Sequence, residues 1–312
     1  MIIQSGLFGI EIGGTKLQVV AASPDLVIRE RRRFNVDLGR GAVGIRKQIE
    51  DAIMDLRKSW QPAAVGIGFG GPVNWQTGCI CCSHHVEGWS EFPIANWVQT
   101  LAEAPVVVDN DANIAALGEA LHGAGKSFNP VFYITLGSGV GGGLVVDGKI
   151  YHGAHPGEAE IGHVRLDKHG TIVEQRCSGW AVDEKIRLAR KAGVKSLLLD
   201  LVGNTTGGEA RHLSTALSKC DTLAQNILQE TAEDIAFALS HVTHLFHPAV
   251  VVIGGGLSLL GAALQEAVAA NLPRFVMEAF APGPEIRLAA LAEDAVPMGA
   301  LVAAQRAVAI TF

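Results

Sequence analysis

Long hydrophobic runs are missing from this chain: no apolar stretch reaches the roughly 18–20 residues that a membrane-spanning helix needs. A cationic surplus is missing too. Lys and Arg number 25 against 31 Asp and Glu, for a net charge of −6, which argues against a nucleic-acid or anionic-membrane partner. Cysteine is sparse. Cys79, Cys81, Cys82, Cys177 and Cys220 are odd in number and lack the spacing of a disulfide framework, so a reducing cytoplasm is the expected setting. The opening residues Met1 to Ser5 carry neither a basic region nor a cleavage site, and no export signal is expected. Also absent are a low-complexity linker, a Walker A loop and a strand–GxGxxG–helix fingerprint. With 312 residues, 48% of them hydrophobic and 18% charged, the profile is globular, with room for two domains.

Glycine, by contrast, is plentiful and clustered. Between Val131 and Gly153 an apolar run enters Gly137-Ser138-Gly139-Val140-Gly141-Gly142-Gly143, and a second apolar run leaves it. Asp147-Gly148 then turns the chain again, which reads as strand, glycine turn, strand, tight turn, strand. Five glycines in those seven residues cost roughly 0.5–1 kcal/mol each in conformational entropy, and a short turn needs only one or two. The surplus suits a backbone that an anion such as phosphate approaches closely. A flexible hairpin without a ligand is the plain alternative.

Leu7 to Val20 forms a second such unit around Gly13-Gly14-Thr15-Lys16, and Val27 to Phe34 extends it into a meander. Ala42 to Trp60 has helical spacing, with Ile45, Ile49, Ile53 and Leu56 on one side. Ala63–Phe69 and Val106–Val108 read as buried strands, and Phe92–Leu101 and Asn113–Leu121 as helices. Later helices are expected at Val182–Ala192, Glu209–Ser218, Asp221–Phe246 and Met298–Val308, with strands at Ala249–Ile253 and Ile286–Ala289. This order predicts an α/β fold of two similar lobes.

The turns at Gly13–Thr15, Gly137–Gly143 and Gly254-Gly255-Gly256 all fall at strand ends, where open α/β sheets bind ligands. Together they point to a nucleotide clamped between lobes. Phosphoryl transfer also needs an acceptor activated by a base. Asp111 is the leading candidate, because it ends a buried strand at the start of a helix. Helix capping would explain it equally well, and Asp109, Asn110 and Asp111 compete for that role.

The segments Glu11-Ile12-Gly13-Gly14-Thr15-Lys16, Gly70-Gly71-Pro72-Val73, Asn110 to Glu119, Leu136 to Gly143, Glu160-Ile161-Gly162-His163 and Pro297-Met298-Gly299-Ala300 resemble the ROK family (repressors, open reading frames, kinases) over residues 7–305. The resemblance implies a two-lobed, actin-like, hexokinase-type fold of the ribonuclease H-like class, with ATP and a hexose bound in the cleft between lobes. Its smaller domain would comprise residues 1–115 and 297–312, and its larger one residues 116–296. By the same resemblance Asp111 accepts the proton of the attacking sugar hydroxyl. Glu11, Gly13, Gly14, Thr15, Lys16, Gly137, Ser138 and Gly139 would hold the phosphates with Mg²⁺, and Gly254, Gly255 and Gly256 would lie near the adenosine. Gly71, His85, Asn110, Glu160, His163 and Glu184 would contact the sugar. The product implied is a sugar 6-phosphate, with glucose the leading substrate, then N-acetylmannosamine or N-acetylglucosamine, then fructose. A homodimer is expected by analogy. A repressor of the same family would need a DNA-binding domain ahead of Leu7, where only six residues stand; a catalytically quiet sugar-binding protein is the other alternative.

Three features depart from the family pattern. Its zinc site follows EIGH with a Gly-Cys-x-Cys-Gly-x-x-Gly-Cys-x-Glu run, and the matching stretch here is Glu174 to Glu184. Gln175 and Val182 replace two cysteines, leaving His163 and Cys177 where a structural zinc wants four ligands, so no zinc is expected. His85 stands where kinases of the family usually carry a sugar-binding Asn. Cys79, Cys81, Cys82, His84 and His85 could form another metal site, although ordinary thiols fit their spacing better. Glu11 replaces a more usual Asp. Finally, His241, His244 and His247 recur every three residues and read as polar positions near a helix C-terminus rather than as ligands.

Overall fold

The computed structural model describes residues 3–14, 16–81, 86–155, 157 and 159–310. Thr15 and His85, two of the expected site residues, lie outside the described residues, as do Cys82 and His84. Two compact units emerge, one of Met1–Ser127, Gly143–Ala159 and Ala290–Phe312, the other of Phe128–Gly142 and Glu160–Ala289. This division follows different lines from the domain limits expected from the sequence. The first unit holds the residues 1–115 and 297–312 expected of the smaller domain and takes in 116–127, 143–159 and 290–296 besides.

The first unit is built on β1 (Gln4–Ile12), β2 (Lys16–Ala22) and β3 (Ile28–Asn35), the expected meander, joined by β4 (Trp60–Phe69) and β7 (Val106–Asn110). The sheet order is β3-β2-β1-β4-β7, with β1, β4 and β7 parallel. A two-stranded ribbon, β5 (Val73–Asn74) and β6 (Cys79–Ile80), follows β4. Alternate residues of β1 face opposite cores, as the two-residue strand period requires. Phe8, Ile10 and Ile12 pack with Ile45, Ile49, Ile53 and Leu56 of α1 (Gly41–Leu56) and with Ile94 and Val98 of α2 (Ile94–Ala102). Leu7 packs on the other face with Leu117 of α3 (Asp111–His122) and Leu301 of α10 (Ala295–Ile310). The approach of α10 is close enough that a Cβ on Gly66 of β4 would stand 1.9 Å from Ala300 O, so no larger residue fits there. β3 is an edge strand guarded by charge: Arg31, Arg32 and Arg33 pair with Asp294, Asp55 and Glu293. The antiparallel pair β9 (Val140–Val146) and β10 (Lys149–Ile150) carries the chain into this unit from the second.

In the second unit β11 (Val250–Gly254) lies parallel between β8 (Val131–Leu136) and β12 (Glu285–Leu288). Around them lie α4 (Val173–Cys177), α5 (Gly179–Lys191), α6 (Leu197–Val202), α7 (Leu213–Ser218), α8 (Thr222–Phe246) and α9 (Ala262–Asn271). The long helix begins one residue later than expected because Asp221 is its cap, accepting from Ala224 N at 2.9 Å. At its other end His244 Nε2 accepts from Met277 N at 3.0 Å and His247 stacks on Phe280. Both rings are therefore engaged in packing. Among the described residues no helix is long and apolar enough to cross a membrane.

Candidate active site

In the first unit the glycine turn after β1, the Gly70-Gly71 turn after β4 and the acidic end of β7 meet at one sheet edge. Their register places Ile12 beside Phe69 and Phe69 beside Asn110, the C-terminal edge at which parallel sheets present ligands. Gly70 N donates to Ile12 O at 2.7 Å and Gly13 N to Lys16 O at 2.9 Å, closing both turns. The competition for the cap of α3 is resolved in favour of Asn110. It is extended (φ −62°, ψ 145°), and its side chain accepts from Ala112 N at 2.9 Å and from Asn113 N at 3.2 Å. α3 consequently starts at Asp111, two residues before the sequence suggested. Asn110 Nδ2 also donates to Gly71 O at 3.3 Å, so much of this expected sugar contact is spent on holding the strand ends together. Asp111 is relieved of capping and stays half-buried in the first helical turn. A Cβ on Gly70 would lie 3.2 Å from its Oδ2.

Glu11 pairs with Lys16 at 3.1 Å and accepts from Gln18. Burial pushes its carboxyl above the ordinary value, with Lys16 and Gln18 opposing the shift. The pair fixes a lysine at the mouth of the first glycine turn.

The second unit gathers the other glycine turns. Gly254 lies beside Thr135 in the parallel register, and a Cβ on Gly255 would strike the backbone of Leu136, the residue before Gly137. The Gly137 and Gly254 turns therefore share one strand-end edge. Gly137 N donates to Gly139 O at 2.9 Å, and Gly179 N at the start of α5 donates to Gly137 O at 2.7 Å. A helix N-terminus beside a glycine turn is a favourable place for an anion. Gly162 packs so closely on β9 that its Cβ would lie 2.2 Å from Val140 O. This brings Glu160 and His163, both exposed, to the same turn.

One expected member is not gathered there. Glu184 lies on the outer side of α5 and is ion-paired with Arg187 at 2.8 Å, which also holds buried Glu209. The carboxylate that reaches the turn is that of Glu174, which accepts from Val140 N at 2.9 Å. Sequence reasoning missed this role, and it missed the cluster of buried Asp109 and Asn113 with half-buried His152 and Trp75. Only Asp109 had drawn notice, as a possible cap.

The positions matched to zinc cysteines have other employment. Gln175 Oε1 accepts from Ile172 N at 3.2 Å, Val182 is buried, and Cys177 is fully buried with its sulfur 3.9 Å from Thr231 O. Burial pushes the Cys177 thiol up to about 12, whereas a zinc ligand must be a thiolate. The intervening hairpin is closed by Asp167, whose Oδ1 accepts from His169, Gly170 and Thr171 N at 2.6, 2.9 and 3.3 Å. These residues do not fit a four-ligand zinc site.

A sequence profile of the ROK family matches residues 7–307. A glucokinase of Halalkalibacterium halodurans is 30% identical over 310 residues, covering 93% of this chain and 92% of that protein. A glucokinase of Thermotoga maritima is 28% identical over 302 residues, covering 94% and 95%. Among solved structures, a ROK family glucokinase from Streptomyces griseus in complex with glucose and AMPPNP is 29% identical, with a TM-score of 0.83 over 96% of this chain and 99% of that one. The two-lobed, actin-like α/β fold implied by the sequence motifs is thus the fold of this chain. Matched from residue 7 to residue 307, the chain belongs to the ROK family.

Proposed function

We propose that this protein is an ATP-dependent hexose kinase that phosphorylates the 6-hydroxyl of a glucose-like sugar, with Asp111 as general base. One observation carries the assignment of the base: Asn110 caps the helix, and Asp111 begins α3 with its Oδ2 against the Gly70 turn, 3.2 Å from where a Cβ on Gly70 would lie. The similarity to glucokinases, and to a structure holding glucose and AMPPNP, supports the choice of substrates.

In this reading Asp111 accepts the hydroxyl proton as the sugar oxygen attacks, which makes the oxygen nucleophilic without a free alkoxide. The tips at Gly13-Gly14 and Ser138-Gly139 offer backbone amides to phosphate oxygens, and Lys16 adds a positive charge. Mg²⁺, which neutralises charge on the transferring phosphoryl group, binds chiefly through phosphate oxygens and asks one or two carboxylates of a protein. Glu11, near the end of β1, would be the carboxylate suited to it. Glu160, His163 and Asn110 orient ring hydroxyls, and a site built on such contacts rejects sugars lacking them. A cytoplasmic location is part of this reading, supported by the similarity to glucokinases. A homodimer is proposed by analogy with the family, and a monomeric mass by light scattering would end that part.

The deciding assay supplies purified protein with ATP·Mg²⁺ and glucose, N-acetylmannosamine, N-acetylglucosamine or fructose. ADP release is expected with at least one, glucose first. Silence across the panel would favour a sugar-binding protein without catalysis. Because the zinc positions are engaged elsewhere, prolonged EDTA treatment followed by restoration of Mg²⁺ is expected to leave Tm and turnover unchanged. Loss of a stoichiometric zinc with a fall in Tm would overturn that expectation.

A further inference from the structure

Asp109 does more than end a strand. Its side chain is 7% exposed, and each oxygen has its own task. Oδ1 accepts from Asn110 N at 2.8 Å and from Asn113 Nδ2 at 3.0 Å. Oδ2 faces His152 Nε2 at 2.5 Å. The two atoms lie within hydrogen-bond distance, and the carboxylate oxygen accepts wherever Nε2 bears the hydrogen.

His152 is held from a second side as well. Its ring stacks on Trp75 with centroids 4.2 Å apart and planes 15° from parallel, and Trp75 also stacks on His155 at 5.9 Å. Asn113 Nδ2 reaches Gly157 O at 3.4 Å. At Gly157 φ is +83° and a Cβ would lie 3.0 Å from His152 O, so only glycine lets the segment fold back on itself there. Asn113 keeps its place although its Oδ1 is buried without a partner, an arrangement that does not favour stability. One buried carboxylate thus grips two things. Through Oδ1 it holds the strand end that carries Asn110 and Asp111, and through Oδ2 it holds His152, while Asn113, held by the same carboxylate, reaches Gly157 O.

We propose that Asp109 and His152 are a positioning pair that locks residues 152–155 and 157 onto the strand end bearing the base, so that sugar binding does not have to order them. The link to sugar binding rests on the kinase reading above; the lock itself does not. A segment ordered in advance spares the ligand that entropy, so releasing it should weaken sugar binding more than it slows the chemical step.

The test uses two variants. His152→Phe keeps a ring against Trp75 but removes the N–H, and His152→Gln keeps a donor without the ring. Hydrogen exchange read by mass spectrometry should show amides of residues 151–155 and 157 exchanging about tenfold faster or more in His152→Phe, with α3 unchanged. In the same variant the sugar KM should rise about tenfold, while kcat and the ATP KM stay within about threefold of wild type. His152→Gln should recover part of both effects. Wild-type exchange in His152→Phe would show that the pair does not hold the segment, and the proposal would fail. An equal loss in kcat and in both KM values, tracking a fall in Tm, would mark a merely structural residue and overturn it too. If the wild type phosphorylates no sugar, the kinase reading falls, and the exchange measurement still decides the lock.

Discussion

Asp111→Asn is expected to lower kcat by about 10²–10⁴-fold while leaving Tm and sugar affinity close to wild type. The replacement keeps the shape of the side chain and its power to hydrogen-bond a hydroxyl. It removes the one property the reaction asks of it, because an amide oxygen does not take up the proton of the attacking group. The helix should not suffer, since its first amides are answered by Asn110 rather than by Asp111. The comparison variant is Asn110→Ala. It strips the cap from two N–H groups and should cost about 1 kcal/mol of stability, and it also releases Gly71 O. The two neighbours therefore predict different signatures: Asp111→Asn in turnover alone, Asn110→Ala in unfolding together with a raised sugar KM. Steady-state kinetics and thermal unfolding of both proteins check this. Near-normal turnover by Asp111→Asn would remove it as the base.

Much of this edge was legible in the sequence because glycine clustering is a steric signal that survives without coordinates. The strands before the three turns fell close to where the structure has them, one in the first unit and two in the second. Choosing among Asp109, Asn110 and Asp111 was not possible from spacing. The cap is decided by backbone angles, and only Asn110 has the extended φ and ψ with its side chain over the first amides. The Asp109–His152 contact joins residues 43 positions apart, and nothing in local pattern ties them. Glu174 and Glu184 show a different limit. Reading by the order of family cysteines favoured Glu184, but Ser178 breaks the chain between α4 and α5 and caps the second helix. The break leaves Glu174 at the turn and Glu184 facing Arg187. α6 went unseen because its six residues are too few to show a period.

Gly255→Ala is expected to be nearly as damaging as loss of the base, for a steric reason. Gly255 has φ +79° and ψ −179°, a region that residues with a Cβ scarcely enter. The added carbon would lie 2.5 Å from Leu136 C, 2.6 Å from its N and 2.7 Å from its O. These are backbone atoms at the end of β8 and cannot rotate away. Strain and overpacking together should cost about 2–5 kcal/mol, and relief would have to come from displacing the Gly137 turn or the Gly254 turn. The ATP KM should therefore rise more than the sugar KM, alongside a lower Tm. Gly256→Ala is the contrasting change. Nothing lies within 4 Å of its added Cβ, so its stability should stay within about 0.5 kcal/mol of wild type. Any rise in its ATP KM would then report contact with the nucleotide itself, since the scaffold is intact. A Gly255→Ala protein as stable as wild type would mean that the two turns are not packed against each other. A Gly256→Ala protein with unchanged nucleotide kinetics would move the adenosine away from this turn and leave it a purely structural bend.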